Sequence, residues 1–187
     1  MGLILASASP RRKELLSLIT KDFTVCEADF DEAAEAEADP RKRALKLACG
    51  KCRAVWARFP GETVIGCDTV VDCGGRVFEK PRSRREAEGM LRALSGGAHL
   101  VHTGVCIRRG AKEERFTGTT RVWFAEIPDG ELESYLDTPE PYDKAGGYGI
   151  QGWAARFIPR IEGCYFNVMG LPVSSLYAAL LKICEND

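Results

Sequence analysis

The 187-residue chain predicts an α/β protein with a mixed sheet, on three observations. β-type and helical runs alternate along its length, without repeats or low-complexity stretches. The N-terminus reads as strand, tight loop and helix, and a continuous apolar run with turn signals in mid-chain reads as a hairpin. A single domain, residues 1–187, is the natural size for this length.

The elements follow in order. Leu3 to Ala6 is a strand that passes through Ser7-Ala8-Ser9 into a helix from Pro10 to about Ile19, with Ser9 as N-cap and Pro10 at the first helical position. A short strand near Phe23 to Cys26 precedes an acidic stretch, Glu27 to Asp39. Asp39-Pro40 then opens a helix to about Arg58, with Ala44, Leu47, Ala48, Cys52 and Val55 facing inward. Thr63 to Val71 is a β run turned by Asp72-Cys73-Gly74-Gly75 onto Arg76 to Glu79, and Lys80-Pro81 ends the hairpin. Ser83 and Glu86 form a capping box for a helix through Ala87, Met90, Leu91 and Leu94. Strands at His99 to Arg108 and Arg115 to Ile127 are joined by a polar turn, Arg109 to Glu114. A short helix from Asp129 to Leu136, a glycine-rich loop from Asp143 to Gly152, two short strands and a helix from Pro172 to about Cys184 complete the chain.

Composition narrows the function classes. With 26 basic and 27 acidic residues, a formal charge of -1 and 45% hydrophobic residues, the chain shows neither a general nucleic-acid coat nor a surface drawn to anionic lipid. No apolar run approaches the about 20 residues that span a bilayer, so a cytoplasmic protein is expected. The eight cysteines lie partly inside apolar runs and read as reduced, buried thiols.

Four segments carry candidate chemistry. Arg11 and Arg12 stand in the first turn of a helix, where positive charge opposes the macrodipole unless an anion is bound. With Ser7, Ser9 and free backbone N–H groups they have the parts of a phosphate cradle, or else point into water. Asp68 lies mid-strand in Val64-Ile65-Gly66-Cys67-Asp68-Thr69-Val70-Val71, where it needs a partner cation, a bulge or a cleft. Gly66, on the same face, would leave room beside it for a ligand or metal. A structural aspartate bonded to backbone amides fits equally well. Lys51 falls beside an apolar stripe and Lys80 before a proline; either can snorkel to solvent, and Lys51 the more readily. Four glycines in the Asp143 to Gly152 loop allow close backbone approach to a ligand, beside Tyr148 and an amide, Gln151, that can read a base edge; a flexible surface turn is the plainer reading. A zinc site from Cys49, Cys52, His99 and His102 has the wrong gap and puts the histidines on opposite strand faces. No Ser-His-Asp arrangement is recognisable.

Taken in order, Leu5-Ala6-Ser7-Ala8-Ser9-Pro10-Arg11-Arg12, the Glu32 region, Lys51, Gly66-Cys67-Asp68-Thr69-Val70-Val71, Glu79-Lys80-Pro81, Asp143 to Gly152 and Gly170-Leu171-Pro172-Val173 resemble the Maf family of nucleotide pyrophosphatases. The resemblance implies two lobes around a central cleft, with an elongated mixed sheet flanked by helices as in inosine triphosphate pyrophosphatases. It implies hydrolysis of a nucleoside triphosphate to monophosphate and pyrophosphate with Mg²⁺ or Mn²⁺. Asp68 would activate water and Glu32 assist at the metal or water, although Asp29, Asp31 and Glu35 crowd the same stretch. Arg11, Arg12, Lys51 and Lys80 would hold phosphates, with help from Ser7. Arg11, Thr69 and Gln151 match positions tied to substrate choice, and Pro-Arg-Arg, Asp-Thr and Ile-Gln-Gly look like the branch acting on dTTP and UTP. A homodimer is compatible with the likeness. Some members are linked to arrest of septum formation, so a nucleotide-sensing or DNA-associated regulator without turnover is the alternative. Cys67 and Cys52 depart from the small residues usual there, which raises oxidation sensitivity rather than doubt about catalysis.

Overall fold

The computed structural model describes residues 2–32 and 35–184; Met1 and the Ala33-Ala34 pair of the acidic stretch lie outside them. Its strands form one seven-stranded mixed sheet. β1 (Leu3–Ala6) runs parallel to β2 (Thr24–Val25) on one side and to β3 (Thr63–Cys73) on the other. From β3 onward the sheet is antiparallel through β5 (Ala98–Arg109), β6 (Lys112–Trp123) and β7 (Arg160–Glu162), while β4 (Arg76–Phe78) folds back on the end of β3. The register sets Asp68 opposite Gly104 and Thr69 opposite Thr103.

Local chemistry accounts for the helices. α1 (Pro10–Leu16) begins where the Ser9 hydroxyl accepts the Arg12 N–H. It stops short of the predicted Ile19, because the Ser17 hydroxyl bonds to the Glu14 carbonyl and the backbone tightens into Leu18-to-Leu15 and Ile19-to-Leu16 bonds. α2 (Pro40–Arg58) matches the prediction, its N-terminus held by the Asp39 carboxylate, which accepts from Arg41 and Lys42 N–H. α3 (Arg84–Leu94) is capped by Ser83, but the Glu86 carboxylate accepts from the Arg82 N–H, one residue before the cap, so the predicted box is displaced by one position. α4 (Asp129–Leu136) leads into three 3₁₀ turns, Glu140–Asp143, Ala145–Gly147 and Trp153–Phe157.

Two regions differ from the sequence expectation. β5 and β6 continue to Arg109 and from Lys112, because Gly110 takes φ +56° and closes a turn far tighter than the predicted six-residue connection. Of the two late strands expected, one forms among the described residues, β7, and it is followed by a helix, α5 (Tyr165–Met169), terminated by Gly170 at φ +113°. α6 (Val173–Cys184) closes the chain as predicted. No helix among the described residues is long and apolar enough to cross a membrane.

Alternation along β3 divides the interior. Ile65 and Cys67 join Leu5, Leu15, Ile107 and Leu176 on one face. Val64 meets Cys49, Cys52 and Val55 of α2 on the other. A further core holds Phe78, Leu91, Leu94, Tyr135 and Tyr148. Gly66 does not leave room for a ligand, as the sequence suggested. A Cβ there would run into the Ala48 carbonyl and lie 2.6 Å from the Cys52 nitrogen; one at Gly104 would run into the Ala44 carbonyl. The two glycines are the trough in which α2 lies, and this close approach carries Lys51 toward Asp68.

Candidate active site

Where β1 ends, α1 begins and β3 passes beneath α2, a cleft of about 650 Å³ opens between these elements and the loop after α4. It runs on into a cavity of about 290 Å³ around Ala6 to Arg12, with Arg11, Arg12, Glu32, Lys51 and Lys80 shared by both. All nine residues singled out from the sequence line one or the other, Ser7 in the smaller and Thr69 and Gln151 in the larger.

The two arginines of α1 do not point into water. Arg12 is fixed from three directions: it donates to the Gly170 carbonyl at 3.0 Å, the Ser7 hydroxyl at 3.2 Å and the Thr69 hydroxyl at 3.1 Å. Thr69 in turn faces the Thr103 hydroxyl at 3.0 Å, and Thr103 donates to the Asn167 carbonyl. The positive φ of Gly170, which ends α5, turns this carbonyl toward Arg12. Arg11 reaches instead to the Asp143 carboxylate at 2.8 Å, bridging the start of α1 and the glycine-rich loop.

At the floor, the Lys51 ammonium lies 2.5 Å from an Asp68 oxygen and 2.9 Å from a Glu32 oxygen. The plainer reading of Lys51, a stem covering the core edge, is therefore overturned. Glu32 is brought there by Phe30, whose ring occupies the space a side chain at Gly50 would need. Lys80 and Gln151 are exposed at the rim and make no side-chain hydrogen bond or ion pair among the described residues.

The Maf-like protein family profile matches residues 2–183 of this chain. The chain belongs to the Maf family. Relatives in the family include a dTTP/UTP pyrophosphatase of Koribacter versatilis, 50% identical over 97% of this chain and 94% of its own length. Another, of Carboxydothermus hydrogenoformans and of the same name, is 45% identical over 96% and 97%. Among solved structures, the Staphylococcus aureus Ham1 protein superposes with a TM-score of 0.53 at 15% identity, covering 97% of this chain and 98% of that one, which shows a shared fold.

Burial shapes the electrostatics of this Maf-family cleft. It pushes the Asp68 carboxyl above the ordinary carboxylate range, against the opposing pull of Lys51 and Arg12. Asp143 feels the same penalty of burial, yet its bonds to Lys144 and Arg11 hold it below the usual value. Burial pushes the Cys67 thiol up to about 11, and Cys67 and Cys52 are wholly enclosed. Oxidation sensitivity at these two positions is thus not a property of the folded chain.

The sequence passed over several cleft residues. Asp143 and Lys144 lay inside a recognised segment, and the charge of Asp143 was the available signal for a partner to Arg11. The Arg43–Glu79 pair at 2.5 Å and the Gly170 carbonyl come from distant segments with no local signature. The zinc candidates are dispersed among other bonds: His99 to the Tyr148 hydroxyl, His102 to Thr119, Cys52 to the Val64 carbonyl. Cys49 gathers instead with Cys106 and Glu113, within 4.8 Å of one another. Arg53 claims that carboxylate with two bonds, and a bond to Cys106 together with burial raises the Cys49 thiol far above its ordinary value, so the group stays protonated.

Proposed function

We propose that the protein is a nucleoside triphosphate pyrophosphatase that cleaves dTTP and UTP to the monophosphate and pyrophosphate. Modified pyrimidine triphosphates belong to the same substrate class. The observation that carries the reading is the convergence of Asp68, Lys51, Glu32 and Arg12 at the floor of a cation-rich cleft, in a chain alignable end to end with relatives named for that activity.

In this reading Arg12 meets a phosphate with a guanidinium already held in place, so little rotamer freedom is lost on binding. Lys80 and Arg11 close on the phosphates from the rim, and Lys51 balances charge on the innermost phosphoryl oxygen. A water on Asp68 gives up a proton to the carboxylate as its oxygen attacks the innermost phosphorus. The bond from that phosphorus to the bridging oxygen breaks, and pyrophosphate leaves. A carboxylate lifted by burial is a stronger base than an exposed one. Thr69 and Gln151 face the remaining volume, where the base and sugar are read.

The donor set suits a divalent metal. Asp68 and Glu32 present hard oxygens to one point, and the Lys51 ammonium between them marks a place already favourable for positive charge. These two carboxylates would hold Mg²⁺ or Mn²⁺, which when bound neutralises phosphate charge. Two lobes of a single domain flank the cleft, with one continuous sheet beneath both. A cytoplasmic location and a homodimeric state complete the proposal.

A regulator that only binds nucleotide gains nothing from a buried acid among the cations unless that acid holds a metal, so turnover itself is what separates the enzyme from the alternative. The test is pyrophosphate release from a nucleotide panel with Mg²⁺. dTTP and UTP are the expected substrates, and Asp68→Asn is expected to lose at least about 10³-fold in turnover while keeping its fold. Unchanged turnover would remove Asp68 from the mechanism, and no release from any nucleotide would refute the activity.

A further inference from the structure

Gln151 lines the cleft, and its side chain has no partner among the described residues, so its placement there is set by the backbone that carries it. The backbone around it makes a tight turn closed by the Gly152 N–H on the Gly149 carbonyl; Gly152 borders the Glu140 side chain alone, and Gly149 borders it together with the stem of Lys144. A Cβ on Gly152 would overlap the Glu140 carboxylate, and one on Gly149 would press to 3.3 Å from it. Both carboxylate oxygens accept the Trp153 N–H at 3.2 Å, and one accepts the Tyr135 hydroxyl at 3.3 Å. Tyr135 is fully buried and stacks on Trp153 at 4.3 Å and 7°. The main chain of Glu140 is tied down as well, its carbonyl accepting from Lys144 at 2.9 Å.

Gln151, between the two glycines, lines the cleft, whereas Glu140 beneath them does not. We propose that Glu140 is a positioning residue for Gln151 and, through it, a determinant of nucleobase selectivity. The inference rests on the nucleotide reading of the cleft. Glu140 itself is absent from the cleft lining, so it acts through the loop and not by touching what the cleft holds. Its effect is geometric: it fixes the turn from which the Gln151 amide reaches out, and a paired donor and acceptor chooses between base edges only from a fixed origin.

The test compares Glu140→Ala and Glu140→Gln with the unmodified chain. Binding is read with the non-hydrolysable α,β-imido analogues of dTTP and dATP, and loop order by hydrogen exchange at the Trp153 amide. In Glu140→Ala the dTTP-over-dATP affinity ratio is expected to fall about tenfold and the Trp153 amide to lose protection, with little change in the binding of inorganic triphosphate. Glu140→Gln retains one carbonyl oxygen as acceptor and is expected to recover most of both losses. Equal weakening of both analogues and of triphosphate, or an unchanged ratio despite a loosened Trp153 amide, would overturn the proposal. Because binding needs no turnover, pyrophosphate release by the unmodified chain separates failure of this inference from failure of the proposed reaction.

Discussion

Replacing Gly66 by Ala tests the link between the packing of α2 and the chemistry at its Lys51. The new Cβ would stand 2.6 Å from the Cys52 nitrogen, whereas ordinary contact begins at 3.4 Å, so this turn of α2 must retreat by at least 0.8 Å. The obstacle is backbone, which no rotamer change relieves. Overpacking of this kind costs up to about 3 kcal/mol. The stiffer unfolded chain of Ala returns about 1 kcal/mol. The net loss of about 2 kcal/mol corresponds to a fall in Tm of about 4–8 °C for a chain of this size. The retreating turn carries Lys51 away from Asp68, now 2.5 Å distant, and a displacement near 1 Å in a reacting site can cost about 10²-fold in rate. Differential scanning calorimetry and pyrophosphate release read the two effects. An unchanged Tm together with unchanged kcat would refute the claim that the glycine exists to admit the helix.

Other perturbations separate the parts of the site. Arg12→Lys keeps the charge but cannot make the three simultaneous bonds to Ser7, Thr69 and Gly170, so KM for the triphosphate is expected to rise about tenfold or more; an unaltered KM would place Arg12 outside binding. Asp143→Asn removes an exposed ion pair, and its Tm should stay within about 2 °C, while the freed Arg11 alters base preference in the nucleotide panel; unchanged preference would make the bridge merely structural. His99 is held neutral, its pKa lowered from 6.5 to about 4 chiefly by burial. The unfolded chain binds that proton first, so stability present above pH 6.5 is lost as pH falls toward about 4, by roughly 3 kcal/mol. Thermal unfolding across this window should show the slope in the unmodified chain and a flatter profile in His99→Phe; equal slopes would exclude His99.

The parts of the fold legible from sequence were those governed by local period and local chemistry. α2 was bounded correctly because Asp39, Pro40 and the inward stripe are contiguous signals. α5 was not, since the buried Asn167 that anchors it bonds to the Val101 carbonyl and the Thr120 hydroxyl, partners 66 and 47 residues away. The site divides along the same line. Arg12, Asp68 and Lys51 stood out as charges in unfavourable local surroundings, and the structure supplies the partners that explain them. Asp143 pairs with Arg11 across 132 residues, and Glu32 reaches Lys51 beside a Phe30 ring that fills the notch at Gly50. Gly66 was noticed but misread, because absent volume in a sequence does not say whether ligand or helix fills it.

Charge in the cleft resolves an apparent contradiction in composition. The whole chain is formally -1, which offers no general attraction to a polyanion. Yet seven basic side chains line the larger cavity against four carboxylates, a local excess of three positive charges within a low-dielectric wall. Nor are the cations equivalent. Arg11, Lys51 and Arg43 are already paired with Asp143, Asp68 with Glu32, and Glu79. Arg12 is held only by uncharged oxygens, and Lys80 has no partner among the described residues. A polyphosphate entering the cleft therefore meets two uncompensated charges first, and gains from the paired ones only by drawing them off their carboxylates. At the floor Lys51 is the cation held by two carboxylates, so in the proposed reaction its transfer to a phosphate would uncover Asp68 and couple the energy of anion binding to release of the base.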